Sequence, residues 1–279
     1  MKISIITPVY NAVNTIEKTI LSVLNQKLES ELEYIIIDGG SNDGTLDIIN
    51  RYSDRINILI SEKDNGVYDA MNKGVSLATG DVIGIINADD WYSHSALEIV
   101  ETVLNKNPNI SVVYSPIDNY INGKFINKFS PGGLDNLVFK FVLNHPSCFV
   151  KKSVYNKVGL FNINYSIAAD YDFIFRVYSS GATFHYIPES LASYSLNGMS
   201  ANLNNRLKLL AESKKVAYPF VKNHSSSLAL KHSLFYIKWF LRELITLPIK
   251  LIDPYIVIKL KAILRNRTGK LSTNQFGNW

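Results

Sequence analysis

Short, nearly unbroken apolar runs at residues 3–6, 34–37, 56–60 and 82–86 alternate with stretches whose apolar positions recur at helical spacing, such as Ile16, Ile20, Val23 and Leu24. The first kind reads as strands of a parallel sheet buried on both faces, the second as helices laid over them. Asn14 with Glu17 three residues later marks one helix start, and further helices are predicted at 67–77 and 95–104. Strand, loop, helix repeated over this length predicts an α/β fold with a doubly wound, mostly parallel sheet. Each predicted strand runs out into polar residues. Residues 8–11, Asp38, 62–64 and 87–90 therefore share one rim, the edge at which open α/β sheets bind ligands.

Beyond residue 104 the pattern becomes mixed. A strand at 110–114 precedes a hairpin of 118–121 and 124–129 turning at Asn122-Gly123. A helix is expected at 134–143, a short strand at 148–150, a short helix at 151–158 and a longer helix from about Asp170, with Phe173, Ile174, Val177 and Tyr178 on one side. Residues 183–187 and 191–195 read as late strands. From 203 to about 267 the chain reads as helical and basic, interrupted by Pro219, Pro248 and Pro254. The expected division is a catalytic domain over 1–200, in halves 1–105 and 106–200, and a basic amphipathic helical tail over 201–279.

Composition adds little to the core and much to the tail. Hydrophobic residues make up 47% of 279 and charged residues 19%, enough for a sizeable core. The lone Cys148 allows no internal disulfide, and residues 1–10 are too short and polar for a secretory segment. With no long apolar run, a cytoplasmic location is expected. The net charge of +5 is concentrated late: Lys231, Lys238, Arg242, Lys250, Lys259, Lys261, Arg265, Arg267 and Lys270 face only Glu243 and Asp253. Set among Leu234, Phe235, Ile237, Trp239, Phe240 and Leu241, they suggest a helix lying on an anionic membrane surface. The alternatives are packing on the catalytic domain or a homo-oligomer contact. No nucleic-acid motif is present, so nucleic acid is not an expected partner.

Asn87, Asp89 and Asp90 end the fourth strand. Without His or Cys clusters, such hard oxygen ligands suit Mg²⁺ or Mn²⁺ beside phosphate, although Asp90 could instead cap a helix. Asp38, followed by two glycines, could accept a proton from a base or ribose. Asp69 and Asn72 lie at i, i+3 and point the same way, unless Asp69 simply pairs with Lys73. His145, in a loop before Pro146, is a candidate for contact with phosphate or acceptor. Asp170 is either a helix N-cap or a general base at the mouth of the site.

Five stretches in order resemble the family 2 inverting glycosyltransferases of the GT-A fold: SIITPVYNA from Ser4, DGGSNDGT from Asp38, SEKDNGVYDAMNKGVSLATGD from Ser61, NADDWY from Asn87 and AADYDFIFR from Ala168 onward. The likeness is closest to bacterial enzymes of surface polysaccharide assembly, of colanic acid and O-antigen (lipopolysaccharide) type, and covers roughly 1–200. It implies a nucleotide-sugar donor, usually a UDP-sugar, bound by residues 1–105, with Mg²⁺ or Mn²⁺ as cofactor. It implies that Thr7, Pro8, Tyr10 and Asn11 flank the nucleoside, that Asp38 meets the uracil, and that Asp69 and Asn72 help hold the nucleotide. Asn87, Ala88 and Asp89 fill the DxD slot, with Asp89, assisted by Asp90, facing the metal, and Asp170 takes the place of the catalytic base. The implied acceptor is a saccharide on a polyprenyl diphosphate at the inner face of the membrane. Three departures stand out: Asn87 replaces the first DxD carboxylate, Ala169 replaces the Glu before the base, and Asn197 stands where many relatives carry a late His. Competing readings are a non-catalytic nucleotide-sugar-binding scaffold and a sugar-nucleotide pyrophosphorylase. The latter would need a Gly-rich basic loop after the first strand, and none is present.

Overall fold

The computed structural model describes residues 1–196, 203–252 and 256. The chain begins with β1 (Lys2–Val9), α1 (Ile16–Leu24), β2 (Glu31–Asp38), α2 (Thr45–Asn50), β3 (Ile58–Ser61), α3 (Val67–Leu77) and β4 (Val82–Ile85). It continues through β5 (Trp91–Tyr92), α4 (Ala96–Lys106), β6 (Val112–Tyr114), β7 (Ile117–Ile121), β8 (Lys124–Phe129), β9 (Cys148–Lys151), α5 (Lys152–Val158), α6 (Ala169–Ser179), β10 (Phe184–Tyr186) and β11 (Ala192–Ser195). Helices α7 (Leu203–His224) and α8 (Ser226–Ile252) follow.

Alternation of side chains along the strands divides the core in two. Ile6, Ile35, Ile37, Ile83 and Ile85 face a layer formed by α3, α5 and α6, while Ile3, Ile5, Tyr34, Ile36, Val82 and Ile86 face α1, α4 and a smaller sheet. The large sheet has the order β10-β6-β9-β4-β1-β2-β3, with every neighbouring pair parallel except those made by β9. The carboxyl ends of the other six strands therefore share one edge, together with the amino end of β9. The smaller sheet, β5-β11-β7-β8, closes over the segment that follows β4. In the β7–β8 hairpin, Asn122 and Gly123 both take positive φ (48° and 73°), as a tight turn between twisted strands requires.

Some expectations change. Residues 134–143 form only a short 3₁₀ turn (Leu134–Val138): Tyr171 donates its hydroxyl to the Leu137 carbonyl, and the Gly132 N–H takes the carbonyl of Val142, so the chain doubles back. The Asn14/Glu17 capping box does not form. Helix α1 starts at Ile16 without a side-chain cap, and Glu17 accepts the Tyr52 hydroxyl instead. Pro219 and Pro248 lie inside α7 and α8 rather than ending them. Pro254, Asn197 and the basic residues Lys259, Lys261, Arg265, Arg267 and Lys270 lie outside the described residues. Helix α7 is not separate from the catalytic core, because Val216 and Ala217 are buried in the layer that holds α6.

Gly84 allows β4 to pass between its neighbours: a Cβ there would sit 2.7 Å from Cε1 of Phe149 and 2.8 Å from Cδ1 of Ile5. Gly84→Ala is expected to lower the unfolding free energy by about 1–3 kcal/mol, read from denaturant midpoints. An unchanged midpoint would contradict this packing.

Candidate active site

The shared edge gathers most of the sequence-predicted residues, but it gives several of them internal partners. Thr7 is buried, its hydroxyl 3.1 Å from that of Tyr34, and Pro8 is buried beside it. Tyr10, at the end of β1, is 63% exposed. Asn11 takes φ 47° and binds the next loop, its N–H donating to Ser41 Oγ at 2.8 Å and its Oδ1 accepting from Asn42 N at 3.0 Å. Asp38 is fully buried and accepts from the N–H groups of Gly40 and Ser41 and from the hydroxyls of Ser41 and Ser61. This carboxylate shapes the glycine loop from beneath, where sequence placed it against a nucleobase. Gly39 lies above it, and a Cβ there would come within 2.5 Å of the Asp64 carboxylate and turn that side chain aside.

Asp69 accepts the N–H of Asn65 at 2.9 Å and lies 3.8 Å from Lys73, so the turn into α3 and the helical ion pair use this carboxylate. Asn72 is fully occupied: its amide donates to the Phe161 carbonyl and accepts the Phe161 N–H, both at 2.9 Å. Together they brace α3 and the loop before α6. His145 lies at the amino end of β9, buried, its ring 5.5 Å from that of Phe161. Burial depresses its pKa to about 4, so near neutral pH it is an uncharged imidazole and not a cation for phosphate.

The turn after β4 holds the acidic group. Asp90 is fully buried and latches this turn to the small sheet, accepting from Ser195 N at 2.9 Å and from the Asn87 amide at 3.2 Å, while its carbonyl takes the Thr19 hydroxyl at 2.7 Å. Asp90 therefore has a structural occupation and does not face outward beside Asp89. Ala88 is buried. Asp89 is partly exposed and, among the described residues, its carboxylate is bonded by its own N–H. Burial raises the pKa of both carboxyls, and for Asp90 the neighbouring Asp89 charge adds to it. Among the described residues Oδ1 of Asn87 is buried without a hydrogen-bond partner. One carboxylate and one orphaned amide oxygen at i and i+2 fit a Mg²⁺ or Mn²⁺ whose other ligands are phosphate and water. Among the described residues no cluster of three or more His, Cys, Asp or Glu side chains would hold it alone.

Asp170 sits in the first turn of α6, next to the helix start and not at its capping position, which is Ala168. Its Oδ1 accepts from Tyr171 N at 2.8 Å and from the Tyr68 hydroxyl at 3.3 Å; the same hydroxyl also lies 2.8 Å from the Ile167 carbonyl. Tyr68 belongs to α3, which begins at the shared edge, so Asp170 stands on that edge too. Cys148, whose thiol is pushed up by burial and then by the Asp170 charge, lies one residue beyond the β4–β9 pairing at Gly84 and Phe149. Asp89 and Asp170 thus stand on the same edge of the sheet. Burial lifts Asp170 to about pKa 6 against its hydrogen bonds from Tyr171 and Tyr68, which suits a proton acceptor working near neutrality. Sequence reading missed two residues, Tyr68 and Glu212. Tyr68 lies inside the resembling stretch before Asp69. Glu212 lies far along the chain, on α7, and binds residues 166–168.

Residues 4–172 match the family described as Glycosyl transferase family 2. The sequence is 33% identical over 205 residues, 71% of this chain and 78% of the relative, to a PGL/p-HBAD biosynthesis glycosyltransferase of Mycobacterium bovis (strain BCG / Pasteur 1173P2). In structure it is similar to S. aureus TarS 1–349 in complex with UDP-GlcNAc, with a TM-score of 0.63 at 15% identity, covering 100% of this chain and 98% of that one; it spans 44% of a longer TarS chain. It is also similar to the mannosyltransferase PcManGT from Pyrobaculum calidifontis in complex with GDP-Man and Mn²⁺, with a TM-score of 0.60 at 15% identity, covering 96% and 87%. At these identities the two structures speak for the fold.

The Asp170 carboxyl is expected to titrate near pH 6 by ¹³C NMR. Because the Tyr68 hydroxyl stabilises the ionised form, Tyr68→Phe should move that midpoint upward; a midpoint near that of an ordinary aspartate would refute the burial assigned to this group.

Proposed function

The chain belongs to glycosyl transferase family 2, and from that membership we propose that it is an inverting enzyme in which Asp170 is the base for transfer from a UDP-sugar. It is a glycosyltransferase of GT-A fold that uses a nucleotide-sugar donor. One observation carries the finer reading: a partly exposed carboxyl with its pKa raised to about 6 stands on the edge that also carries Asp89.

In this reading Tyr10 and Asn11 flank the nucleoside above the glycine loop, and Thr7, Pro8 and Asp38 hold that surface from below. Asp69 and Asn72 keep α3 and the 161 loop in register, while Asn87, Ala88 and Asp89 occupy the slot beside the diphosphate. Asp89 and the Asn87 Oδ1 would hold the cation, which when bound offsets charge on the departing nucleoside diphosphate. Asp170 removes the proton from the acceptor hydroxyl as its oxygen bonds to the anomeric carbon and the bond to the diphosphate breaks on the opposite face. Neutral His145 offers a hydrogen bond near the acceptor without adding charge. Residues 1–105 serve the donor, 106–200 the acceptor and 201–279 the setting of the enzyme.

The proposed acceptor is a saccharide on a polyprenyl diphosphate, used in cell-surface polysaccharide synthesis of the O-antigen or colanic acid kind at the inner face of the cytoplasmic membrane. Helix α8 supports a peripheral position there. Its inner face buries His232, Tyr236 and Glu243, yet Leu230 (61% exposed), Leu234, Ile237, Leu241, Leu244 and Ile245 (76% exposed) form a second apolar stripe on the opposite side. Lys231, Lys238 and Arg242 follow one margin of that stripe, an arrangement that matches anionic headgroups above an acyl boundary. Among the described residues no helix is long and apolar enough to cross a membrane.

With radiolabelled UDP-sugars and a carrier-lipid acceptor, transfer at subsaturating substrate should rise with pH through about 6 and level off as Asp170 loses its proton. Asp170→Asn should lower it by about 10²–10⁴-fold with UDP binding intact; full activity in that variant would remove Asp170 from the role. In flotation the full chain should rise with phosphatidylglycerol vesicles and remain behind with phosphatidylcholine, and Leu234→Glu with Ile237→Glu should abolish the difference. A concentration-dependent dimer that masks the stripe without lipid would favour a second copy instead.

A further inference from the structure

The first turn of α6 carries Asp170 but has no side-chain cap of its own. Ala168 occupies the capping position, and Ala169 stands where the family resemblance expects glutamate. Four groups on the approach to this helix nevertheless find one acceptor, the carboxylate of Glu212 on α7. It receives the Ser166 hydroxyl at 2.8 Å and the N–H groups of Ser166, Ile167 and Ala168 at 3.1, 2.9 and 3.0 Å. The Ala168 N–H is one of the donors a helix start leaves unsatisfied, the Ser166 and Ile167 groups belong to the segment that leads into it, and an anion there also meets the positive end of the helix dipole. Glu212 is only 8% exposed and lies outside the residues 4–172 that match the family.

We propose that Glu212 is the positioning residue for Asp170: by clamping residues 166–168 from the C-terminal helix, it fixes the direction in which the Asp170 carboxylate meets the acceptor hydroxyl. The proposal rests on Asp170 being the base. Tyr68 provides the opposing hold, with its hydroxyl against both Ile167 O and Asp170 Oδ1, so the turn is gripped from α3 on one side and α7 on the other. Burial alone would raise Glu212, but its bonds from Ile167, Ser166 and Ala168 hold it below the ordinary carboxylate range. It therefore remains an anion while Asp170 titrates, and its charge helps to raise Asp170. Helix α7 becomes part of the catalytic apparatus as well as a link to α8.

The test compares Glu212→Gln and Ser166→Ala with the full-length parent at saturating donor. Glu212→Gln is expected to lower kcat by about tenfold or more through misdirection of the base, to leave UDP affinity from calorimetry unchanged, and to move the pH midpoint downward because a nearby negative charge is gone. Ser166→Ala removes one bond at an exposed position and should lower kcat more weakly while leaving the pH midpoint in place, because the Glu212 charge remains; it carries the test of kcat if Glu212→Gln does not fold. In an Asp170→Asn background, Glu212→Gln should have no further effect on the residual rate. Unchanged kcat and pH midpoint, a parallel loss of UDP affinity, or additive losses in the double variant would each overturn the positioning role. Full transfer by Asp170→Asn alone would instead strike at the identity of the base.

Discussion

The Asp170 carboxylate is only partly exposed, set among side chains that shed much of its water. Burial pushes Asp170 up to about 6, while the hydrogen bonds from Tyr171 N–H and the Tyr68 hydroxyl keep it from rising further. The balance leaves a carboxylate that is charged near neutrality yet more basic than an ordinary aspartate, as the base proposed for the acceptor hydroxyl would need to be. A fully solvated aspartate would be ionised but weak, and a wholly apolar pocket would keep it protonated. The surrounding elements determine which of these states the group approaches.

The sheet brings that group and its counterpart to one edge. Six strands end on the same side because β9 alone is reversed, and the reversal also brings His145 and Cys148 to that side. Helix α3 starts there and carries Tyr68 to Asp170. The turn after β4 carries Asp89 outward, while Asp90, turned inward, binds Ser195 of the small sheet and, through its carbonyl, Thr19 of α1. Much of the polar chemistry in this region is therefore internal bracing. Asp38, Asp69, Asn72 and Asp90 each use their side chains on the protein itself, as does the Asn87 amide group, leaving Tyr10 and Asp89 as the more exposed groups on this edge.

The order of strands and helices was legible because alternation and helical spacing are local properties of the chain, and Asn122-Gly123 announced its hairpin through the φ values it alone could easily adopt. Asp170 was legible as either a helix cap or a base, and the structure sets the first aside because Ala168 holds the capping position. What local pattern could not reveal was the partner of each polar group. Asn72 meets the backbone of Phe161, Asp38 meets Ser61, and Glu212 meets residues 166–168, all contacts between segments distant in sequence. The helix expected over 134–143 failed for the same reason: its apolar spacing was sound, but Gly132 captured the carbonyl of Val142.

The claim that Asp89 and Asp170 serve one bound donor can be tested by paramagnetic broadening. With ¹³C-labelled aspartate side chains and UDP present, Mn²⁺ should selectively broaden the signals of both Asp89 and Asp170 while sparing Asp81, which binds the N–H of Lys2 at the opposite edge of the sheet. Broadening of Asp89 with Asp170 left as sharp as Asp81 would place the two carboxylates in different sites and contradict the shared cleft.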